Sequence, residues 1–142
     1  MKVLVYIETK EGSPVQGSLE LLTAAKELGE TLAVAVEDKD AAEKAAALGA
    51  KVTVLKTGDA SEDAQTAALE GYIRETQPEL VLFSGTQIGK DLAPRLAQRF
   101  GAGCVTDVTA IEKAREGVEF VRPAYGGTVL ERLAVSGPVQ FA

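Results

Sequence analysis

The sequence predicts an α/β protein: a doubly wound, mainly parallel sheet that gains antiparallel strands toward its C-terminal end. Three observations point there. Short apolar runs alternate with segments whose apolar residues recur at helical spacing. Glycines and capping residues stand where one pattern gives way to the other. After Thr109 the helical segments cease, and strand-like runs follow one another across glycine turns.

The first run, residues 2–7, has the continuous apolarity of a strand buried on both faces, and the polar, Gly- and Pro-containing residues 8–17 form a loop after it. Ser18 is placed to accept from the first free amides of a helix. Leu21, Leu22, Ala25 and Leu28 give that helix its apolar face, and Gly29 stops it. The pattern repeats with a strand over 31–36, a cap at Asp38, an alanine-rich helix to Leu48 stopped by Gly49, and a strand over 51–55. Asp59 or Ser61 caps the next helix, which reaches about Thr76 with Ala64, Ala67, Ala68, Tyr72 and Ile73 available for its buried face. Pro78 blocks its continuation. A fourth strand covers 80–84. A helix from Lys90 to Phe100 follows, with Pro94 in its opening turn, and Gly101 and Gly103 release the chain into a fifth strand. Residues 118–121 and 128–133 read as antiparallel strands with turns at Glu116-Gly117 and Gly126-Gly127, and 139–142 as one more strand.

The 142 residues suit one domain, 1–142, large enough to bury roughly 70% of the surface its unfolded chain exposes. Net charge is −6 with 15 scattered Lys and Arg, which lacks the basic stripe of a nucleic-acid binder. The sequence has no histidine, so the commonest acid/base group and metal ligand is missing, and no metal site is expected. Cys104, in an apolar stretch, reads as a small buried hydrophobe. No apolar run reaches the roughly 18 residues of a membrane span, and the chain enters a core strand without a charged leader. The expected location is the cytoplasm.

One segment carries the position of a ligand site. Residues 85–91, Gly85-Thr86-Gln87-Ile88-Gly89-Lys90-Asp91, lie between the fourth strand and a helix N-terminus, where an open α/β sheet holds ligands and free amides attract anions. Only three residues separate the glycines, and Asp91 rather than Ser or Thr follows Lys90, so this is not a Walker loop. The loop after the first strand lacks Gly-x-Gly-x-x-Gly. Ser84-Gly85 begins like the Ser-Gly-Gly-x-Asp-Ser loop of ATP pyrophosphatases and then departs from it. Asp91 complements the helix dipole where a phosphate would sit, and its charge opposes a nucleotide. Asp107 lies on the same sheet edge, where a short polar residue commonly satisfies turn amides. No nucleophile is paired with a base, so no catalytic residue is assigned.

From Pro78-Glu79-Leu80-Val81-Leu82-Phe83-Ser84-Gly85, through Gly89-Lys90-Asp91-Leu92-Ala93-Pro94-Arg95-Leu96-Ala97 and Gly101-Ala102-Gly103-Cys104-Val105-Thr106-Asp107, to Arg122-Pro123-Ala124-Tyr125-Gly126-Gly127, the chain resembles the N-terminal domain of the alpha (large) subunit of electron-transfer flavoproteins. The resemblance extends back to the first strand. It implies a Rossmann-like fold of the adenine-nucleotide-hydrolase kind, shared with the beta subunit. That subunit holds AMP or a second flavin in the corresponding pocket, whereas the alpha domain usually leaves it empty. Gly85, Thr86, Gly89, Lys90 and Asp91 then form a vestigial nucleotide loop, and Arg122 and Tyr125 are candidates for a partner interface. The resemblance places FAD in a C-terminal domain absent from this chain, and the interrupted strand at Ala142 fits a piece of a longer subunit. It implies a non-catalytic scaffold that pairs with the beta subunit in a heterodimer. The assembled flavoprotein takes electrons from dehydrogenases and delivers them to a quinone reductase or similar acceptor. The alternative is a universal-stress-like AMP/ATP-binding module built on the same loop.

Overall fold

The computed structural model describes residues 1–47, 49, 51–58, 61–115, 117–127, 129–134 and 137–142, with Tyr125 described in its backbone only. β1 (Lys2–Tyr6) opens the chain, with Val3 to Tyr6 buried as a two-sided apolar run requires. The expected loop contains a small hairpin, β2 (Thr9–Lys10) and β3 (Ser13–Pro14). Glu11 and Gly12 between them hold φ of 53° and 75°, the paired positive angles of a tight two-residue turn. α1 (Gln16–Leu28) begins before Ser18. Its N-cap is Val15, which makes no side-chain cap bond, so Ser18 is a buried helical residue rather than the expected cap.

β4 (Glu30–Val36) leads to α2 (Lys39–Ala46), capped as expected by Asp38, whose carboxylate accepts from Ala41 N at 2.9 Å. The predicted helix end at Leu48 lies outside the described residues. β5 (Lys51–Leu55) has the expected bounds. α3 (Glu62–Thr76) is capped by Ser61, which accepts from Ala64 N at 3.2 Å; Asp59, the other candidate, lies outside the described residues. Its buried face is Thr66, Leu69 and Ile73, while Ala67 is exposed. The helix is therefore rotated from the alanine-based expectation, because a leucine at a neighbouring position buries more apolar surface than an alanine.

β6 (Leu80–Leu82) and α4 (Gln87–Arg99) follow. α4 starts a turn earlier than expected, since Thr86 is its N-cap and accepts from Gly89 N at 3.1 Å. Pro94 consequently sits inside the helix rather than in its first turn, on the exposed face, where the carbonyl it cannot bond faces water. The chain closes with β7 (Ala110–Lys113), β8 (Val118–Ala124), a single 3-10 turn (Tyr125–Gly127), β9 (Val129–Leu133) and β10 (Gln140–Phe141). The predicted turn residue Glu116 and strand start Thr128 lie outside the described residues.

The main sheet has the order β10-β6-β1-β4-β5, and every pair is parallel. Alternation along the strands builds two layers. Val3, Val5, Ile7, Ala33, Ala35, Leu80 and Leu82 pack against α1 and α2 through Leu22, Ala25, Leu28, Ala42 and Ala45. Leu4, Tyr6, Val34, Val36, Val81 and Phe83 pack against α3 and α4 through Leu69, Ile73, Leu92 and Leu96. The strand expected after Gly101 and Gly103 does not form. That stretch makes one isolated bridge, Cys104 to Phe141, and the last strand of the chain takes the place beside β6. Among the described residues no helix is long and apolar enough to cross a membrane.

β8 and β9 are antiparallel, as expected, but with the unpredicted β7 they form a separate sheet rather than an extension of the parallel one. Val118 and Phe120 anchor it to the α1-side core. Pairing between β7 and β8 ends at Ala110 with Val121, while β8 and β9 continue through Pro123 with Leu130 and Ala124 with Val129. A two-stranded ribbon thus extends past the third strand. Val129 and Leu130 on it are 48% and 66% exposed.

Candidate functional site

In the sheet, the chain runs from the central β1 outward through β4 to β5, then returns to β6 on the other side of β1. The loops leaving β1 and β6 therefore diverge, and the crevice between them is the switch point at which open sheets of this type hold ligands. Around it lie Glu8 from the end of β1, Ser18 from α1, Ser84 from the end of β6, and Thr86 at the head of α4.

The five residues of the predicted loop reach this edge, in a different form. Of the five, only Gly85 and Thr86 lie in the connection from β6 to α4; Gly89, Lys90 and Asp91 are already helical. Thr86 spends its oxygen on Gly89 N and donates its hydroxyl proton to a carboxylate oxygen of Glu8. Lys90 Nζ lies 3.0 Å from Asp107 Oδ1, with both side chains about half exposed at 46% and 47%. Asp107 is thus on the predicted edge, but its carboxylate meets a lysine. Asp91 does not face the helix amides; it accepts from Gln87 Nε2 at 3.2 Å along the helix surface. The Lys90 ammonium and the Gly89 amide are thus engaged by residues of the chain itself.

Glu8 was the unrecognised member of the site. It is only 6% exposed. Its N–H donates to Ser18 Oγ at 2.9 Å, its carbonyl accepts from Val15 N at 2.9 Å, and Ser18 Oγ lies 3.0 Å from Ser84 Oγ. The nearby Tyr6 phenol donates to Gln65 Oε1 at 3.1 Å, and burial, then the Glu8 charge, pushes its pKa up to about 12. Nothing local in the sequence marks this cluster, whose members meet only through the fold; the one signal is a carboxylate directly after a fully buried strand.

Against the same loop, with Ser84, Gly85 and Gly89 in its wall, a cleft of about 300 Å³ opens between α1 and the segment leading to β7. Leu21, Ala24, Val108 and Ile111 line its apolar walls, and Lys90 and Asp107 also border it. The two phosphates of a flavin dinucleotide call for free amides or unpaired cations; here Gly89 N is bonded to Thr86 and Lys90 is paired with Asp107. Among the described residues no three His, Cys, Asp or Glu side chains group as metal ligands. The half-buried Cys104 thiol is held above its ordinary pKa by burial, which disfavours a reactive thiolate.

At the far side of the same sheet edge, Glu37 accepts from the N–H groups of Thr57 and Gly58 and from the Thr57 hydroxyl, tying the end of β4 to the loop after β5. These bonds, the Thr57 amide first, lower its pKa. A depressed carboxylate stabilises the fold above its unfolded pKa, and that contribution disappears as pH falls through the folded value. Glu37→Gln is therefore expected to be less stable than the native chain at pH 7, with the gap closing as pH drops below roughly 4.3. Urea titrations at pH 7, 5 and 3.5 check this; a gap independent of pH refutes it.

The two partner-interface candidates lie on the ribbon. Arg122 is on β8, opposite Glu131 of β9, and by alternation shares a face with the core residue Phe120. Its Nε is buried and meets no acceptor among the described residues. The Tyr125 backbone begins the turn at the ribbon tip, where Gly126 and Gly127 hold φ of 69° and 89°.

A family model described as the electron transfer flavoprotein domain matches residues 3–142. The electron transfer flavoprotein subunit alpha of Bacillus subtilis is 30% identical over an alignment 152 positions long, gaps included, which covers 99% of this chain and 46% of that subunit. That of Syntrophomonas wolfei is 33% identical, covering 94% and 44%. That of Mycobacterium tuberculosis is 34% identical, covering 96% and 44%. The chain spans somewhat less than half the length of these relatives.

Proposed function

This chain belongs to the electron transfer flavoprotein family, corresponding to the N-terminal domain of its alpha subunits, and from that premise we propose that it is a cofactor-free platform on which a beta subunit and a separate FAD-bearing domain assemble. In such an assembly the flavin performs the redox chemistry, and the protein positions it. The platform works in the cytoplasm, and the complete complex passes electrons from dehydrogenases to a quinone reductase or similar acceptor.

The observation that carries the reading is the contrast between two surfaces. The side chains of Glu8, Ser18, Ser84 and Thr86 at the switch-point crevice are engaged within the chain, while the β8–β9 ribbon presents Val129 and Leu130 to solvent and carries a buried Arg122 Nε that meets no acceptor among the described residues. A two-stranded ribbon is marginal on its own in water, and an apolar one gains most by being covered. We assign the ribbon as the docking arm, with Arg122 taking a carboxylate or carbonyl of the partner. The rival AMP/ATP module needs Lys90 free for phosphate, and that ammonium is paired with Asp107.

The full alpha subunit that contains these residues, co-expressed with its beta subunit, is expected to purify as a yellow heterodimer, while residues 1–142 alone stay colourless after dialysis. Leu130→Asp and Arg122→Glu are each expected to weaken heterodimer formation about tenfold or more, the scale of a central interface residue. Analytical ultracentrifugation against subunit concentration measures it. A flavin band retained by residues 1–142, or unchanged assembly in both variants, overturns the reading.

A further inference from the structure

At the N-terminal end of α4 stands a carboxylate of this chain, that of Glu8. Thr86 links them: its oxygen accepts the Gly89 N–H, and its hydroxyl proton goes to Glu8. The hydroxyl relays the carboxylate charge to the positive end of a 13-residue helix. Taking a carboxylate to 6% exposure is costly unless donors and dipoles replace its water, and this relay supplies both.

Glu8 is also fixed in place. Its main chain is held on both sides, by Ser18 Oγ at its N–H and by Val15 N at its carbonyl. Ser18 is fastened in turn to Ser84 at the end of β6. The backbone that carries the side chain therefore joins both walls of the crevice.

We propose that Glu8 is an internal anion that keeps the switch-point crevice closed to phosphate-bearing ligands, so the domain's selectivity against nucleotides resides in this one carboxylate. The charge is what acts: held by the Thr86 hydroxyl, it repels a second anion at the same helix end. The inference concerns residues 1–142 alone and does not depend on any partner, so it stands or falls separately from the platform reading.

The probes are inorganic phosphate and AMP, each against chloride at matched ionic strength. The proteins are the native chain, Glu8→Gln, Glu8→Ala and Thr86→Val. Glu8→Gln keeps the side-chain size and an acceptor for Thr86 while removing the charge. Thermal midpoints and the amide shifts of Thr86 and Gly89 are read. In the native chain and in Thr86→Val, where the carboxylate remains, neither probe is expected to act beyond chloride. In Glu8→Gln the midpoint should rise with phosphate or AMP and the Gly89 amide should shift, with apparent affinity at least tenfold above native. The midpoint still reports binding if Glu8→Ala is much less stable. The proposal is overturned if Glu8→Gln responds no more than the native chain. It is equally overturned if the native chain binds either probe at Gly89, or if Thr86→Val binds as well as Glu8→Gln, which would make loosening rather than charge the cause.

Discussion

Gly89→Ala is expected to lower the thermal midpoint of residues 1–142 by about 10 °C, from an overpacking cost of about 3 kcal/mol in a domain of this size. A Cβ at Gly89 would fall far inside the 3.0 Å that real Cβ atoms keep from other heavy atoms, and the atom it meets is the main-chain carbonyl oxygen of Ser84. A flexible side chain could step aside, but this oxygen follows directly from β6 in the buried sheet. Relief requires α4 to withdraw, and α4 carries Leu92 and Leu96, both fully buried against the sheet. It would also stretch the Thr86 cap and the Glu8 bond beyond it. Gly85→Ala is the control. A Cβ there has no heavy atom within 4 Å, and the change should stay within about 0.5 kcal/mol. Thermal and urea unfolding followed by circular dichroism decide the matter. A Gly89→Ala midpoint within 2 °C of the Gly85→Ala midpoint would mean that α4 is not pressed onto β6 as described.

Gly89 also illustrates what the sequence conveys and what it conceals. Two glycines in five residues suggest a loop, since glycine is usually needed for an unusual backbone angle. Gly89 is helical and is required by the closeness of a neighbouring strand, which only the tertiary structure reveals. The strands were legible because runs such as Val3 to Ile7 are apolar on successive residues, as burial on both faces demands. Asp38 and Ser61 were legible because capping is a local matter. Strand order was not. Residues 102–105 and 139–142 are both short and apolar, and which of them lies beside β6 depends on packing across the sheet. The place of the candidate site was readable from the order of strand, glycine and helix. Its chemistry was not, because Asp107 neutralises Lys90 across 17 positions and Glu8 reaches Thr86 across 78.

Phe141→Ala tests that unexpected strand order and should be the more damaging substitution, costing about 3–5 kcal/mol as a fully buried aromatic reduced to a methyl. β10 is only two residues long, so few main-chain bonds hold it. The Phe141 side chain supplies the rest: it lies in the α3/α4-side core, with its ring centroid 5.7 Å from that of Phe100. Its main chain accepts from Val105 N at 3.0 Å, and the adjoining Ala142 accepts from Phe83 N at 2.8 Å. Removing the ring should therefore free a connected set of amides before the whole sheet opens, a sub-global unit in the sense of native-state exchange. Hydrogen exchange is expected to show the amides of Phe83, Val105 and Ala142 losing protection first. Those of β4, paired on both sides by β1 and β5, should follow only global unfolding. Ala142 and Val105 also line the cleft, so the same opening removes part of its wall. If Phe141→Ala is as stable as the native chain to within 1 kcal/mol, or if Phe83 and Val105 keep their protection while β4 loses its own, then β10 is not the strand that completes the sheet beside β6.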